Sequence, residues 1–129
     1  MMRQEVKTIQ APAAIGPYSQ GIIAGNLVFA SGQVPLNPKT GVIESNEIKD
    51  QTYQVLDNLK NVLEAAGSGL RHAVKTTIFM KNLSHFAVVN EIYAEFFTEP
   101  FPARSCVEVA DLPKGALVEI EAIALKVED

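Results

Sequence analysis

Charge is placed where it is expensive near the C-terminal end of the chain, at Arg104 in ARSCVEV and at Glu119 and Glu121 in LVEIEAIAL. A guanidinium flanked by Pro102, Ala103 and Val107 is expected to be partly buried, and its planar fork suits a carboxylate, which accepts two parallel charge-assisted hydrogen bonds. Two readings of Arg104 are open: a clamp for a ligand carboxylate, or an ion pair with Glu119, Glu121 or Glu108. A carboxylate in an otherwise apolar strand must be paired, protonated or used. One of Glu119 and Glu121 can therefore take a proton from water as a general base, or it can neutralise Arg104 while the other faces solvent or a subunit boundary.

Other side chains fit around these. Cys106 lies two residues from Arg104 and on the same expected strand face, but no base accompanies it. A small hydrophobe lining a pocket is the simpler reading than a nucleophile. Tyr18, in GPYSQG, is presented by a rigid loop, either to a ligand or as an anchor against the sheet. Ser31-Gly32-Gln33 ends a strand, and its glycine either lets the backbone approach a ligand or merely stops the strand. His72 and His85 are isolated, and with one cysteine they give no zinc-ligand spacing.

These residues need elements to hold them. Ala103 to Val109 and Leu117 to Leu125 both alternate with period two, and Asp111, Pro113 and Gly115 interrupt them, so the spacing predicts two strands paired antiparallel through a long hairpin. That pairing would deliver Arg104 and the glutamates to one surface. Earlier, Gln4 to Ile9 predicts an edge strand, and Gly21 to Ala24 with Leu27 to Ser31 predicts a hairpin about Gly25-Asn26. Gly32 to Gly41 reads as an exposed excursion. Helical spacing runs from Asn46, the expected N-cap, to Ala66, with Gly67 as the C′ residue. Val74 to Met80 predicts a central strand. A second helix, capped by Ser84, carries Phe86, Val89, Tyr93, Phe96 and Phe97 along one stripe. The resulting order, β-β-β-α-β-α-β-β, is that of an α+β two-layer fold with both helices on one face of a mixed sheet. The other face keeps Leu117, Ile123, Leu125 and Cys106 beside its charges, and an oligomer closing on that face would bury them.

Composition bounds the function. The 129 residues suit a single domain, 1–129, with 47% hydrophobic and 20% charged residues. A net charge of −4, with no basic stripe, argues against tight nucleic-acid binding through phosphates. One cysteine, no signal-like leader and no apolar run of membrane-spanning length lead to the expectation of a soluble cytoplasmic protein.

Two long motifs, APAAIGPYSQG followed by FASGQVPLNPKTG, and FPARSCVEVADLPKGALVEIEAIA, closely resemble the RidA family, also called YjgF/YER057c/UK114, the reactive intermediate deaminases. The resemblance extends over nearly the whole chain. It implies a chorismate-mutase-like fold assembled as a homotrimer, with ligand sites in clefts between subunits. It also implies cofactor-independent hydrolysis of 2-imino acids and their enamine tautomers, such as 2-iminobutanoate and 2-iminopropanoate, to 2-oxo acids and ammonia. By resemblance, Arg104 is the carboxylate-binding arginine, Glu119 the glutamate that orients the attacking water, and Tyr18 the pocket tyrosine. Ser31, Gly32, Asn90 and Cys106 match positions that line or support the pocket. Some relatives are translation inhibitors with ribonuclease activity or regulators of partner proteins. A module that senses a small carboxylate, or a ribonuclease, is thus the alternative implied.

Overall fold

Helix α1 (Ile48–Ala65) forms where Val55, Leu56, Leu59, Val62 and Leu63 recur at helical spacing, and all five are fully buried. A computed structural model of the chain describes residues 2–127. The N-cap of α1 is Glu47, without a side-chain cap, where Asn46 was expected; Ser45 holds the helix start instead, accepting from Glu47 N at 3.1 Å and donating to Asp50 at 2.8 Å. At the other end Gly67, with φ +79°, takes the C′ position that a left-handed residue suits, and Ser68 N reaches back to Leu63 O.

Strands β1 (Arg3–Val6), β2 (Gly21–Ala24), β3 (Leu27–Gln33), β4 (Ala73–Met80), β5 (Ala103–Glu108) and β6 (Val118–Leu125) form one mixed sheet in the order β1-β2-β3-β6-β4-β5. Helix α2 (Phe86–Phe96) connects β4 to β5, and the expected element order holds throughout. The start of this helix differs from expectation. The N-cap of α2 is His85, without a side-chain cap, where Ser84 was expected; Asn82 instead caps the short 3-10 turn that leads into α2, its side chain accepting from Ser84 N. The turn at Gly25-Asn26 joins β2 and β3 as expected, with Gly25 at φ +63°.

The pairing of the last two strands departs from the hairpin reading. β5 lies parallel to β4, and β6 lies antiparallel to β4 on its other side, so β4 separates them. A helix between two strands favours the parallel crossover, and here that preference overrides the turn-rich connector between β5 and β6. The register then sets the faces. Arg104 aligns with buried Thr76 and Cys106 with buried Ile78, on the side the helices cover. Glu119 aligns with Phe79 and Glu121 with Thr77, on the open side. Within one chain Arg104 and the two glutamates therefore point to opposite faces of the sheet, and Cys106 belongs with the helices, not with the open face.

Buried polar side chains tie the loops to α1. Asn58 donates to Val34 O and Leu36 O, holding the excursion after β3, and Gln51 Oε1 accepts from Leu117 N at 2.8 Å immediately before β6. These bonds fix both chain segments that flank Glu119. The open face keeps an apolar strip, with Phe29 opposite Ile123 and Leu27 opposite Leu125. Phe29 is 41% and Leu125 38% exposed. Among the described residues no helix is long and apolar enough to cross a membrane.

Candidate functional site

Two separate clefts hold the expected residues. The first lies on the helix side around Arg104. Tyr93 is fixed there by a 2.7 Å hydrogen bond between its hydroxyl and Thr76 and by stacking on Phe97, with ring centroids 4.2 Å apart. Its ring forms a platform, with the Arg104 guanidinium carbon 4.9 Å from the Tyr93 centroid and 5.5 Å from that of Phe86. Asn90, one turn along α2 from Phe86, accepts from Arg104 Nη1 at 2.8 Å. Arg104 is exposed rather than partly buried as expected, and it pairs with Asn90, not with any of the three candidate glutamates. Its remaining donors face a cavity of about 420 Å³ lined also by Ala94, Phe101 and Pro102. A planar cation oriented on one side by an amide and two rings, and open on the other, is arranged to receive a planar anion.

Cys106 sits behind this cleft. Its Sγ lies 3.6 Å from Met80 Sδ, and burial pushes the thiol above its ordinary 9.0, although the charge of Arg104 pulls the other way. The thiol is protonated at neutral pH, which fits a packing role better than a nucleophile.

The second cleft lies on the opposite side, around Glu119. β3 and β6 lose register between Ala30 and Gln33, where the three steps from Ala30 to Gln33 span the two steps from Ala122 to Ile120. The extra residue is a β-bulge at Ser31-Gly32. It leaves Gly32 directly beneath Glu119: a Cβ built on Gly32 would lie 2.8 Å from Glu119 Cδ and closer still to its Oε2. The glycine is thus a requirement of close approach, not a mere strand end. Ser31 Oγ donates to Ser19 O at 2.6 Å and Ser31 N donates to Gln20 O, which ties the bulge to the Tyr18 loop. Gln20, itself buried, accepts from Thr8 N and donates to Thr8 O, Ala11 O and Pro12 O, so one amide holds the whole proline-rich approach to Tyr18. Tyr18, 55% exposed, projects into a cavity of about 610 Å³ shared with Ser31, Gly32, Glu119 and Glu121.

Burial, and then the neighbouring charge of Glu121, raise the Glu119 carboxyl above its ordinary 4.5. A carboxylate made more basic in a cavity, with no cation bonded to it among the described residues, can take a proton from water. Of the seven expected site residues the structure groups Tyr18, Ser31, Gly32 and Glu119 in one cleft, and Arg104 and Asn90, with Cys106 behind them, in the other. The residues that sequence reasoning missed are Gln20, whose amide chemistry in a proline-rich stretch was the available signal, and Lys114, which lines the Glu119 cavity from the Pro113-Lys114-Gly115 turn.

The chain is similar to known proteins along nearly its whole length. Residues 8–126 match the family model described as Endoribonuclease L-PSP. A RutC family protein of Pyrococcus horikoshii is 54% identical over 125 residues, covering 97% of this chain and 99% of its own. The 2-iminobutanoate/2-iminopropanoate deaminase of Escherichia coli K12 is 53% identical over 128 residues, covering 97% of this chain and 99% of its own. Among solved structures, a Rid-family protein of Yersinia pestis superimposes with a TM-score of 0.94 at 52% identity, covering 96% of this chain and 99% of that one. The sheet of six strands with two helices on one face is accordingly the chorismate-mutase-like fold, and the chain belongs to the Endoribonuclease L-PSP family, the RidA family that its two motifs resemble.

Proposed function

We propose that this protein is a deaminase that hydrolyses 2-imino acids to 2-oxo acids and ammonia, using sites completed between subunits of a homotrimer. The observation that carries this reading is the half-buried carboxylate of Glu119 laid over Gly32 in an open cavity, with its basicity raised by burial. A relative 53% identical bears the deaminase name, which supports the same chemistry here.

The chemistry asks little of the protein. Protonated 2-imino acids carry an electrophilic carbon, so water adds to it directly when placed well. Glu119 accepts one proton from that water as the carbon–oxygen bond forms, and returns it to the amine nitrogen. The carbon–nitrogen bond then breaks and ammonia leaves, while the hydroxyl gives its remaining proton to the freed Glu119 carboxylate, which passes it on to the departing ammonia, and the oxygen becomes the carbonyl of the 2-oxo acid. Arg104 holds the substrate carboxylate, and Tyr18 with Ser31 walls the side-chain pocket. One general-base proton transfer supplies roughly two to four powers of ten, and the orientation of the water adds to it.

Arg104 and Glu119 act together only if neighbouring chains bring the two clefts face to face, a head-to-tail contact that closes into a ring. Complementation tests this. An Arg104→Ala chain and a Glu119→Gln chain, each inactive alone, are co-expressed with different tags and the mixed assembly is isolated. Each mixed trimer, of either composition, joins an intact arginine to an intact glutamate at one of its three interfaces, so about a third of wild-type imine hydrolysis should return. Mixed assemblies with no activity would rule out sites shared between chains. A wild-type protein that does not speed the decay of dehydratase-generated imine would rule out the deaminase itself.

The ribonuclease reading finds less support, because a net charge of −4 with no basic stripe gives little hold on a phosphate backbone.

A further inference from the structure

The connector between β5 and β6 places a lysine where the backbone disfavours one. Ala116 N donates to Pro113 O at 3.1 Å, and between them Lys114 has φ 61°, ψ 17° and Gly115 has φ +71°. That is a type I′ turn, whose two central positions suit glycine, asparagine or aspartate. Gly115 meets the demand and Lys114 does not, since its Cβ is crowded in the left-handed region. The side chain returns nothing to the fold. It is exposed, and it has no ion-pair partner among the described residues. Local conflicts of this kind concentrate at functional sites.

The position of the turn supplies the function. Lys114 borders the cavity of about 610 Å³ that contains Glu119, and the other charged side chains on that wall are Glu119 and Glu121. On this chain's own wall of the cavity, an anion entering would meet two carboxylates without Lys114. With it, one of the two charges is offset at the entrance. We propose that Lys114 is a specificity-determining residue that admits anionic substrates to the Glu119 cavity and favours them over neutral analogues. This rests on the deaminase reading for the identity of the substrate, but not for the electrostatics.

One unit charge acting through solvent across a cavity of this size changes anion affinity roughly two- to fourfold at low ionic strength. Lys114→Asn removes the charge and places a residue that the turn favours. Two readouts are compared: KM and kcat for dehydratase-generated 2-imino acid, and calorimetric binding of 2-oxobutanoate and its neutral amide. The variant is expected to keep its assembly state, a Tm no lower than wild type, and kcat. KM for the imino acid and Kd for 2-oxobutanoate should rise roughly two- to fourfold in dilute buffer, and the difference should vanish near 0.5 M salt, where charges are screened beyond about 4 Å. Amide binding should not change. An unchanged Kd for 2-oxobutanoate in dilute buffer would overturn the proposal. So would a loss that persists in high salt and is equal for the amide, or a wild type that does not bind 2-oxobutanoate. If wild type binds the 2-oxo acid but does not hydrolyse imine, the deaminase reading fails while the titration still decides the role of Lys114.

Discussion

Glu119 and Gly32 are packed so closely that no side chain fits between them: a Cβ on Gly32 would stand 2.8 Å from Glu119 Cδ. The contact exists because the bulge in β3 brings one extra residue into line with β6. It fixes the carboxylate from below and leaves its other side to the cavity. In the deaminase reading the glycine is therefore a positioning residue for the water-activating group.

Gly32→Ala tests that relationship. The atoms in the way are the far end of a flexible side chain, so the new methyl group swings the carboxylate aside and leaves the strand in place. A shift of about 1 Å in a reacting group costs on the order of a hundredfold in rate. The expected variant melts within a few degrees of wild type and assembles normally, while kcat for imine hydrolysis falls by about that factor. Normal turnover in a folded Gly32→Ala protein would show that the carboxylate does not need this seat.

The raised pKa of Glu119 makes opposite predictions for activity and stability. Folding raises the affinity of this carboxyl for its proton, so its stabilising contribution is complete below the ordinary 4.5 and is lost as pH rises through the higher folded value. At neutral pH the ionised group stands as a desolvated charge beside Glu121. Glu119→Gln should therefore leave Tm at pH 7 equal to or above that of wild type, with a smaller difference at pH 4, and should abolish accelerated hydrolysis. In wild type, the acid limb of kcat/KM should fall at a pH above 4.5, because the base is lost as Glu119 takes its proton. Melting curves and rate profiles across pH 4 to 8 check both. An acid limb at or below the ordinary carboxylate range would remove Glu119 as the base.

Periodicity made the elements legible, and it could not reveal their partners. The alternation in Ala103 to Val109 and in Leu117 to Leu125 marks two strands correctly, yet a period of two is the same whichever strand lies alongside. The connector with Pro113 and Gly115 suggested a hairpin, whereas the β4-α2-β5 crossover demanded a parallel neighbour. That difference moved Arg104 and Cys106 to the helix side and separated Arg104 from Glu119. The bulge at Ser31-Gly32 was hidden for a related reason, since an added residue in one strand shows only against the register of the other. Caps failed more locally: Ser45 and Asn82 lie within two residues of the expected Asn46 and Ser84, and all four are residue types that can cap.

Arg104→Lys separates a ligand clamp from a structural cation. Arg104 is held by Asn90 at 2.8 Å and by the faces of Tyr93 and Phe86, and these leave its outer donors toward the cavity. Lysine keeps the charge but has a single mobile ammonium, so a carboxylate bound by two parallel bonds would be held by one. One charge-assisted bond is worth about 1.5 to 3 kcal/mol, which corresponds to roughly a tenfold to hundredfold loss of affinity. Because the guanidinium is exposed and forms no ion pair among the described residues, the fold should lose little. The expected variant melts near wild type, assembles normally, and shows kcat/KM for 2-imino acids reduced by that factor. Asn90→Ala should reduce it less, because the two aromatic faces still orient the guanidinium. A folded Arg104→Lys protein with wild-type kcat/KM would show that Arg104 does not hold the substrate carboxylate, and a protein that melts early or dissociates would make it a structural residue instead.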